Sequence, residues 1–350
     1  MKDIKFDLDD IAIVPAILSE INSRSECDIH NDENGLLPLM TAPMDTVVSK
    51  KNYYAFISNR IHVCMPRNEY HDNTTDMAHK DIFQSFGLED LERQLKLTKQ
   101  SKEKYNKPFF WFNKILIDTA NGHLQRVIDV IKKIKKDYPH ITIMAGNVGH
   151  PLTYKNLAMA GADYVRCSIG TGESCVTAAN VGINYPIGSL IYECKEIKKK
   201  SELDCKIVAD GGMRGYDDII KSLSLGCDCV MIGSLLNRTL QSAGFNYLWG
   251  LRLPYQIAKI LWKWGFPIKK KYRGMSTKEV QRKWGKAKLV TSEGITRFRK
   301  IKYNLSTWVE NFEDYLRSAM SYSGAKNLQE FIENSEWVFI TNNSLKRYKK

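Results

Sequence analysis

The segment SIGTGESCVT (168–177) combines a thiol, four hydroxyls and two glycines. Cysteine is the best soft nucleophile near neutral pH once its pKa is lowered, and Thr177, two residues after Cys175, is placed to relay a proton. Gly170 and Gly172 permit backbone conformations that other residues avoid, so carbonyl or N–H groups there can face an ion or a phosphate. The segment therefore predicts a nucleophilic Cys175 in an ion-binding loop.

Two later segments carry groups suited to the sugar and the phosphate of a nucleotide. Asp210 supplies one carboxylate for the two hydroxyls of a ribose, and Gly211 and Gly212 let backbone approach closely. Gly233 and Ser234 follow another apolar run, at a place where N–H groups of a helix start commonly bind phosphate. Together they predict a nucleotide 5′-monophosphate as ligand, although the segment with Asp210, Gly211 and Gly212, taken alone, is also compatible with a structural turn.

Eight short β-rich segments, each followed by a charged stretch of helical period, must position these groups. The predicted strands are 37–43, 61–65, 81–86, 114–120, 142–148, 164–170, 206–212 and 229–236, and the clearest helices are 88–105, 124–138, 188–200 and 216–226. Strands that alternate with helices pair in parallel, because each crossover returns the chain to the same end of the sheet. The pattern predicts an α/β fold, a (β/α)₈ TIM barrel.

In such a barrel the active site lies at the carboxyl ends of the strands, so the residues after each strand are informative. Six of these loops are rich in small and functional side chains: 44–46, 118–122, 146–148, 170–177, 210–212 and 233–234. Ordinary turns are the alternative explanation, but the opposite ends of the strands show no such clustering. We therefore expect the loops to form one site.

The composition indicates a globular protein. With 350 residues, 43% of them hydrophobic, the chain can form one large barrel, and we predict a single domain over 1–350. The apolar runs are too short to span a bilayer and the N-terminus lacks the apolar stretch of a signal peptide, which predicts a cytoplasmic location without a membrane partner. The cysteines form no metal signature, and Cys64, Cys167 and Cys229 are expected to be reduced core residues.

The formal charge of +13 suits an anionic ligand. Because the excess lies partly in lysine-rich helix faces and a basic tail, nucleic-acid binding is not predicted as the main role. Residues 244–271 form an aromatic and basic insertion, for which we favour packing or subunit contact over a membrane surface or nucleic acid. The polar stretch 277–316 predicts a mobile flap.

The order of motifs along the chain resembles the family of IMP dehydrogenase and GMP reductase. The resemblance runs through APMDTV, IDTANGH, IMAGNV, GTGESCVT, GINYP, VADGG and VMIGSLL to YRGMS, TSEG and RSAMSYSGAKNL. It covers nearly the whole chain and implies an oxidoreductase that acts on a purine nucleoside monophosphate. Family members are tetramers, so the resemblance also implies a homo-oligomer.

The resemblance assigns a role to individual residues. It implies that Cys175 attacks C2 of the purine, and that Thr177 and Glu293 move protons. The substrate would be bound by Ser174, Asp210, Gly211, Gly212, Gly233, Ser234, Tyr272, Gly274, Met275 and Ser276. The cofactor, NADPH, would be bound by Ser23, Arg24, Arg67, Asp118, Thr119, Ala120, Asn147, Ile169, Gly170, Ser318 and Ser321. A potassium site is implied at the carbonyls of Gly170, Gly172 and Cys175.

Within the family, the sequence favours the reductase, which converts GMP to IMP with loss of ammonia. The dehydrogenase usually carries regulatory domains after the second strand and activates water with an Arg-Tyr pair in its flap. Here about fifty residues separate the second and fourth predicted strands, and Arg282 is followed by Lys283. Without a device that deprotonates water, a covalent intermediate is better suited to accept hydride.

Two other hypotheses stay open. One is an IMP dehydrogenase that lacks regulatory domains, and the other is a catalytically weak barrel that binds purine nucleotides or nucleic acid. The second draws on the basic insertion and on Glu173, which stands where the family has a serine near the phosphate. A carboxylate there repels phosphate. Either Ser174 replaces the missing serine or Glu173 turns outward.

Overall fold

In a computed structural model of the chain, strands and helices alternate along most of the sequence. The structure describes residues 4–31, 34–67, 69, 82–105, 112–285 and 288–348. Its strands are β1 (Ile11–Ile13), β2 (Leu39–Thr41), β3 (Cys64–Met65), β4 (Phe83–Phe86), β5 (Lys114–Asp118), β6 (Thr142–Val148), β7 (Tyr164–Cys167), β8 (Lys206–Asp210), β9 (Cys229–Ile232), β10 (Asn246–Leu248), β11 (Leu251–Leu253), β12 (Lys269–Arg273), β13 (Thr296–Lys300) and β14 (Trp337–Phe339).

The α-helices cover the intervening segments. They are α1 (Tyr53–Ile57), α2 (Leu88–Tyr105), α3 (Gln125–Asp137), α4 (Pro151–Met159), α5 (Thr177–Val181), α6 (Ile187–Lys200), α7 (Tyr216–Ser224), α8 (Ser234–Asn237), α9 (Tyr255–Lys263), α10 (Lys278–Lys283), α11 (Leu305–Ser323), α12 (Leu328–Asn334) and α13 (Asn342–Tyr348). Among these helices of the described segments, none is both long and apolar enough to cross a bilayer.

Strands β2 to β9 form one eight-stranded parallel sheet in the order β2-β9-β8-β7-β6-β5-β4-β3. A parallel bridge between Met40 and His62 joins β2 to the segment that leads into β3, and so brings the two edges together. Each predicted strand contains one of these eight strands, which confirms the TIM barrel. Residue 81, the first of the third predicted strand, and residues 286–287 of the predicted flap lie outside the described residues.

Side chains of the barrel strands alternate between two buried layers, because successive residues of a strand point to opposite faces. In β5, Leu116 points into the barrel, whereas Ile115 and Ile117 pack against the surrounding helices. The inner layer consists of Met40, Ala42, Cys64, Phe83, Leu116, Met144, Val208, Cys229 and Met231. The barrel interior is thus filled, and a ligand must bind at its mouth.

The cysteines divide into two environments. Seven of the eight are buried and Cys175 is half-buried, with no disulfide among them. Cys64 and Cys229 lie in the barrel interior and Cys167 lies under the helices, which confirms their prediction as core residues. Burial raises the pKa of the Cys64 thiol to about 12. Cys175 is the thiol that a ligand can reach.

The insertion 244–271 builds a small layer of its own beside the barrel. Strands β10 to β13 form an antiparallel sheet in the order β11-β10-β12-β13, and α9 packs on it. A separate apolar core consists of Leu240, Leu248, Ala258, Ile268 and Ile301. The insertion therefore has a packing role, while Trp249 and Trp264 on its outer side are 79% and 74% exposed.

The segment 277–316 contains parts of three structural units. The connection between β12 and β13, residues 274–295 with α10, begins just before the segment, and 296–300 form β13 itself. Residues 305–316 form the first part of α11, which buries Leu305, Trp308, Phe312 and Leu316. Residues 305–316 thus belong to a helix that packs on the core through its apolar face. The term flap is used below for 274–295.

Candidate active site

The three side chains predicted for catalysis meet at the mouth of the barrel. The Cys175 thiol donates to Thr177 Oγ1 over 3.2 Å, and the Thr177 hydroxyl donates to Glu293 Oε2 over 2.5 Å. Glu293 lies 116 residues after Thr177 in the sequence, so only the fold brings the two together. These contacts form a path along which a proton can move between thiol and carboxylate.

Backbone contacts hold the flap against the loop that carries the thiol. Val176 N–H donates to the Glu293 carbonyl over 2.8 Å, and Ile295 N–H donates to the Ser174 carbonyl over 3.0 Å. Gly274, at the start of the flap, also packs against this loop, because a Cβ atom there would lie 2.7 Å from the Ser174 carbonyl oxygen. This close approach requires glycine and places Met275 and Ser276 beside the site.

Asp210 is not a free carboxylate. Arg166 donates to its Oδ2 through Nε (3.1 Å) and Nη2 (2.7 Å), and the Asn147 side-chain amide donates to the same oxygen over 2.5 Å. Arg166 also donates to Asp118 Oδ1 over 2.9 Å. These bonds all converge on Oδ2 of Asp210, so Oδ1 is the oxygen left for the ribose hydroxyls, its partners predicted from the sequence.

The second carboxylate, Asp118, joins two arginines. Arg67 donates through Nε to Asp118 Oδ2 over 2.9 Å, and its guanidinium carbon lies 4.4 Å from the centre of the Trp284 ring in the flap. Burial works against the charge of Asp118, but Arg67 and Arg166 outweigh it and lower the pKa of this carboxyl. We call Arg67, Asp118, Asn147, Arg166 and Asp210 the Arg166 network.

Sequence reasoning missed Arg166. It is 6% exposed and stands between Val165 and Cys167 in β7. The available signal was a charged residue inside an otherwise apolar strand, since a buried charge needs partners of opposite sign. The carboxylates that compensate it come from β8, which is a neighbour of β7, and from β5, which lies beyond the other neighbour, β6.

The loops predicted to hold the nicotinamide interlock by backbone bonds. Thr119 N–H donates to the Gly146 carbonyl over 3.0 Å, and Asn147 N–H donates to the Thr119 carbonyl over 2.8 Å. Gly170 has φ of +78° and packs so tightly on Ala178 that a Cβ atom would lie 2.7 Å from the Ala178 Cβ. The position therefore requires glycine for two reasons.

The remaining residues of this group have different exposure. Ala120 is exposed and Ile169 is half-buried. A Cβ atom at Gly149 would lie 3.0 Å from the Ile169 side chain, so Ile169 packs on the loop after β6. Both residues lie beside the loops of Thr119 and Gly170.

The residues predicted for the phosphate lie on the neighbouring loops. A Cβ atom at Gly233 would lie 2.8 Å from the hydroxyl of Tyr272, and Ser234 begins the short helix α8. Tyr272 is 4% exposed, and burial raises the pKa of its hydroxyl well above the usual value. Gly211 and Gly212, with φ of +80° and +88°, complete the loop after β8.

Glu173 is paired with two arginines. Its Oε1 accepts from Arg299 Nη2 of β13 and lies 3.6 Å from Arg238 Nη2. We call these three residues the Glu173 cluster. Because these arginines hold the carboxylate within the protein, Glu173 does not turn outward into solvent. Its charge is also paired, although it lies beside the loops predicted to bind phosphate.

Asp45, after β2, anchors the flap. Its carboxylate accepts from Arg273 over 2.5 Å and from Lys283 over 2.7 Å, and Glu279 pairs with Arg273 and Lys271. Burial opposes ionisation of Asp45, but the hydrogen bonds from Lys283 and Arg273 prevail and lower the pKa. The anchor depends on Asp45 being ionised.

Four residues predicted to contact the cofactor lie at the other end of the barrel, namely Ser23, Arg24, Ser318 and Ser321. Arg60, which precedes β3 at the amino-terminal end of the barrel, pairs with Glu313 of α11, and Arg24 lies 3.6 Å from Asp314. Ser318 and Ser321 follow further along the same helix. Within one chain, the fold does not bring these four residues to Cys175.

The predicted potassium site rests on backbone carbonyls. The Gly172 carbonyl already accepts from Cys175 N–H over 2.8 Å, which leaves it a second lone pair for a cation. Within the described segments, no group of three or more His, Cys, Asp or Glu side chains could hold a metal ion.

Comparison with known proteins identifies similar sequences. A model of the IMP dehydrogenase / GMP reductase domain matches residues 112–349. The chain is 32% identical over 351 residues to a GMP reductase of Oceanobacillus iheyensis and 31% identical over 346 residues to that of Bacillus subtilis, and each match covers 96% of both chains.

Dehydrogenases are similar over a shorter region. The chain is 35% identical over 234 residues to an inosine-5′-monophosphate dehydrogenase of Chlorobaculum parvum, which is 66% of this chain and 46% of that protein. The match thus spans less than half the length of the dehydrogenases but nearly the whole length of the reductases.

Proposed function

This chain belongs to the IMP dehydrogenase and GMP reductase family, and from that premise we propose that it is a GMP reductase. The proposed reaction converts GMP, NADPH and a proton to IMP, ammonia and NADP⁺. The observation that carries the proposal is the path from Cys175 through Thr177 to Glu293, with steps of 3.2 and 2.5 Å. A thiol paired in this way suits covalent catalysis at an electrophilic carbon.

Cys175 Sγ forms a bond to C2 of the purine, and the thiol proton passes to Thr177 and on to Glu293. The C2–N bond breaks as the amine takes that proton and leaves as ammonia, so C2 stays bonded to sulfur. When bound, NADPH supplies a hydride to C2. The C2–S bond then breaks, the electron pair returns to sulfur, and the thiol takes up the proton that balances the reaction.

The residues proposed to hold the nicotinamide are suited to the carboxamide group on its ring. Asp118, Thr119, Asn147 and Gly170 are half-buried, and a carboxamide requires both donors and acceptors in a partly desolvated place. Arg67, which binds Asp118 of this group, stacks on Trp284 of the flap. Asp210 holds the ribose of GMP, and the loops at Gly233 and Tyr272 hold its phosphate.

Mass spectrometry of the intact protein tests the covalent step. After incubation with GMP, we expect an adduct on the wild-type chain and on a Cys205→Ala control, whose thiol is buried, but not on Cys175→Ala. Loss of NADPH absorbance with GMP measures turnover. A Cys175→Ala protein with full turnover would exclude the mechanism.

Removal of the proton path should lower the rate more than the affinity. Thr177→Val and Glu293→Gln are each expected to lower kcat about 10²- to 10⁴-fold, because proton transfer contributes in that range. Nucleotide binding, measured by calorimetry, should change little. A large loss of affinity with unchanged kcat would assign these residues to binding instead.

An IMP dehydrogenase without regulatory domains is the alternative, and the similarity to the Chlorobaculum parvum protein favours it. Against it, Lys283 of the flap is bound by Asp45 over 2.7 Å, so it does not support a water-activating pair with Arg282. NAD⁺ reduction in the presence of IMP would select this activity. Tight, salt-sensitive binding to nucleic acid without any turnover would select the binding protein instead.

We extend the proposal to a potassium-dependent, cytoplasmic homotetramer. The four residues at the amino-terminal end of the barrel can meet a cofactor only in a neighbouring copy, which is the structural reason to expect one. Light scattering measures the oligomeric state, and a monomer with full NADPH-dependent turnover would remove that role from Ser23, Arg24, Ser318 and Ser321. Exchange of potassium for sodium tests the cation.

A further inference from the structure

The Glu173 cluster lies where three segments of the chain meet. Glu173 immediately precedes Ser174 in the loop of Cys175, Arg299 lies in β13, and Arg238 follows α8. The three side chains are 30%, 20% and 19% exposed, so the ion pairs are partly shielded from water. Arg238 is held toward β13 because its carbonyl accepts from Lys302 N–H over 2.9 Å.

Some polar atoms of the Glu173 cluster have no hydrogen-bond partner in the described part of the chain. Oε2 of Glu173 and Nε of Arg299 are buried and have no hydrogen-bond partner within the described residues, whereas the buried Ser174 hydroxyl interacts with the Tyr272 hydroxyl. Ser174 is 3% exposed. Buried polar atoms are normally paired, because leaving them without partners is costly. An unused donor of Arg299 beside an unpaired carboxylate oxygen of Glu173 indicates a place where a further acceptor binds.

The cluster borders the loops to which we assign the 5′-phosphate. Tyr272 pairs with Arg297 in the β12–β13 ladder, two residues from Arg299. Arg238 is close enough for its charge to act on the Tyr272 hydroxyl, which in turn lies against Gly233. Both guanidinium groups therefore lie at the rim of the phosphate loops.

We propose that Arg238 and Arg299 recognise the 5′-phosphate of a purine nucleoside monophosphate, and that the Glu173 carboxylate holds both arginines until the phosphate displaces it. This inference rests on the proposed function and adds the residues that set its selectivity. Guanidinium groups bind phosphate in a bidentate manner, and Arg299 Nε supplies a further donor.

Charge explains why the carboxylate is exchanged. A phosphate monoester carries close to two negative charges at neutral pH, so it attracts the arginines more strongly than one carboxylate does. The same charge repels Glu173, which cannot share the arginines with it. A nucleoside offers no such attraction and leaves the Glu173 pairs in place.

The measurement is the dissociation constant of the full-length protein, by titration calorimetry, for GMP and IMP and for guanosine and inosine. The ratio of the nucleoside constant to the monophosphate constant reports the phosphate contribution. Glu173→Gln removes the competing charge at nearly constant shape, and we expect this ratio to rise about tenfold. Arg238→Gln and Arg299→Gln should each lower it about tenfold, with nucleoside binding unchanged.

Matched variants separate recognition from folding. Lys300 is exposed and is the neighbour of Arg299 on the opposite face of β13, so Lys300→Gln should leave the ratio unchanged. Arg238→Lys and Arg299→Lys keep the charge without the bidentate fork and should lower the ratio less than the glutamine variants. The nucleoside constant serves as the folding control for each variant, because a misfolded protein loses nucleoside and monophosphate binding together and leaves the ratio without the expected change.

The outcomes are distinguishable from failure of the proposed function. An unchanged or lower ratio in Glu173→Gln overturns the inference, even if GMP reduction is intact. Wild-type protein that binds guanosine as tightly as GMP also overturns it, since Glu173 would then stand in the place of the phosphate. Because the ratio is a binding quantity, the expected changes support the inference whether GMP or IMP proves to be the substrate.

Discussion

Two groups of arginines and carboxylates lie at the mouth of the barrel, and they differ in how completely the chain satisfies them. In the Arg166 network, Asp118 and Asp210 both accept from Arg166, and their side chains are 13% and 12% exposed. In the Glu173 cluster, a carboxylate oxygen and a guanidinium nitrogen are buried without partners among the described residues. A fully hydrogen-bonded group of charges, such as the Arg166 network, holds the surrounding loops rigidly. A group with unpaired atoms, such as the Glu173 cluster, can still form hydrogen bonds to a ligand.

Removal of Arg166, the central cation of the Arg166 network, should destabilise the protein most. Arg166→Leu leaves Asp210 without a cation and Asp118 with Arg67 alone, and we expect the free energy of unfolding to fall by about 3–5 kcal/mol. Urea denaturation measures the change, and Arg166→Lys should lose less because it keeps the charge. A loss below about 1 kcal/mol would place the network among ordinary surface ion pairs.

Lys270 differs from both groups, because it is a buried cation whose described partner is the Ser242 carbonyl and not a carboxylate. Burial lowers its pKa to about 7 from an ordinary 10.5. Between these values the unfolded chain binds a proton that the folded chain lacks, so stability should rise with pH in that window.

Lys270→Met should therefore stabilise the protein by roughly 2 kcal/mol at pH 6 and remove this pH dependence. Unfolding free energies measured from pH 6 to 10 check both effects. Lys269→Met is the matched control, since Lys269 is the exposed neighbour in β12 and should change neither. A destabilised Lys270→Met protein with the wild-type pH dependence would contradict the expectation.

Asp45 joins the flap to the barrel, and its effect should be smaller. Its pKa is lowered in the folded state, so its contribution is present above the unfolded pKa and is lost as pH falls through the folded value. Asp45→Asn should cost about 1–2 kcal/mol at pH 7 and flatten the acid limb of the stability profile. The exposed Asp204→Asn is the control, and an equal loss there would refute the assignment.

Glu173→Gln should change the free energy of unfolding least among these variants. Because the cluster is partly exposed and built to exchange a partner, the free energy of unfolding should shift by less than about 1 kcal/mol. Thermal and urea unfolding of this variant beside Arg166→Leu test the contrast directly. Similar losses in the two variants would mean that both groups are structural.

The barrel was predictable because its strands are bounded by local signals. The sixth strand of the chain has the predicted bounds, Thr142–Val148. The next was predicted as 164–170 but ends at Cys167, because Ser168 turns to bond the Asp210 carbonyl and Gly170 adopts a left-handed conformation. Such strand ends depend on contacts with a neighbouring loop, which residue patterns do not record.

The site was predictable only in part. Cys175 and Thr177 are two residues apart, so their spacing alone predicted a contact that the structure places at 3.2 Å. Glu293 was reached through the resemblance to a family, and Arg166 was missed because its compensation comes from two other strands. The Glu173 pairs were likewise hidden, since both arginines lie far from the loop in sequence.

The order of strands and helices, the core position of Cys64 and Cys229 and the loop that carries the thiol could all be predicted from the amino-acid sequence. These features follow from residue period and local backbone preference, which act over a few neighbouring positions. The tertiary structure decided which charges meet: it joined Glu293 to Thr177, Arg166 to two carboxylates, and Glu173 to two arginines. Charge pairing depends on distance in space, and closure of the barrel sets that distance.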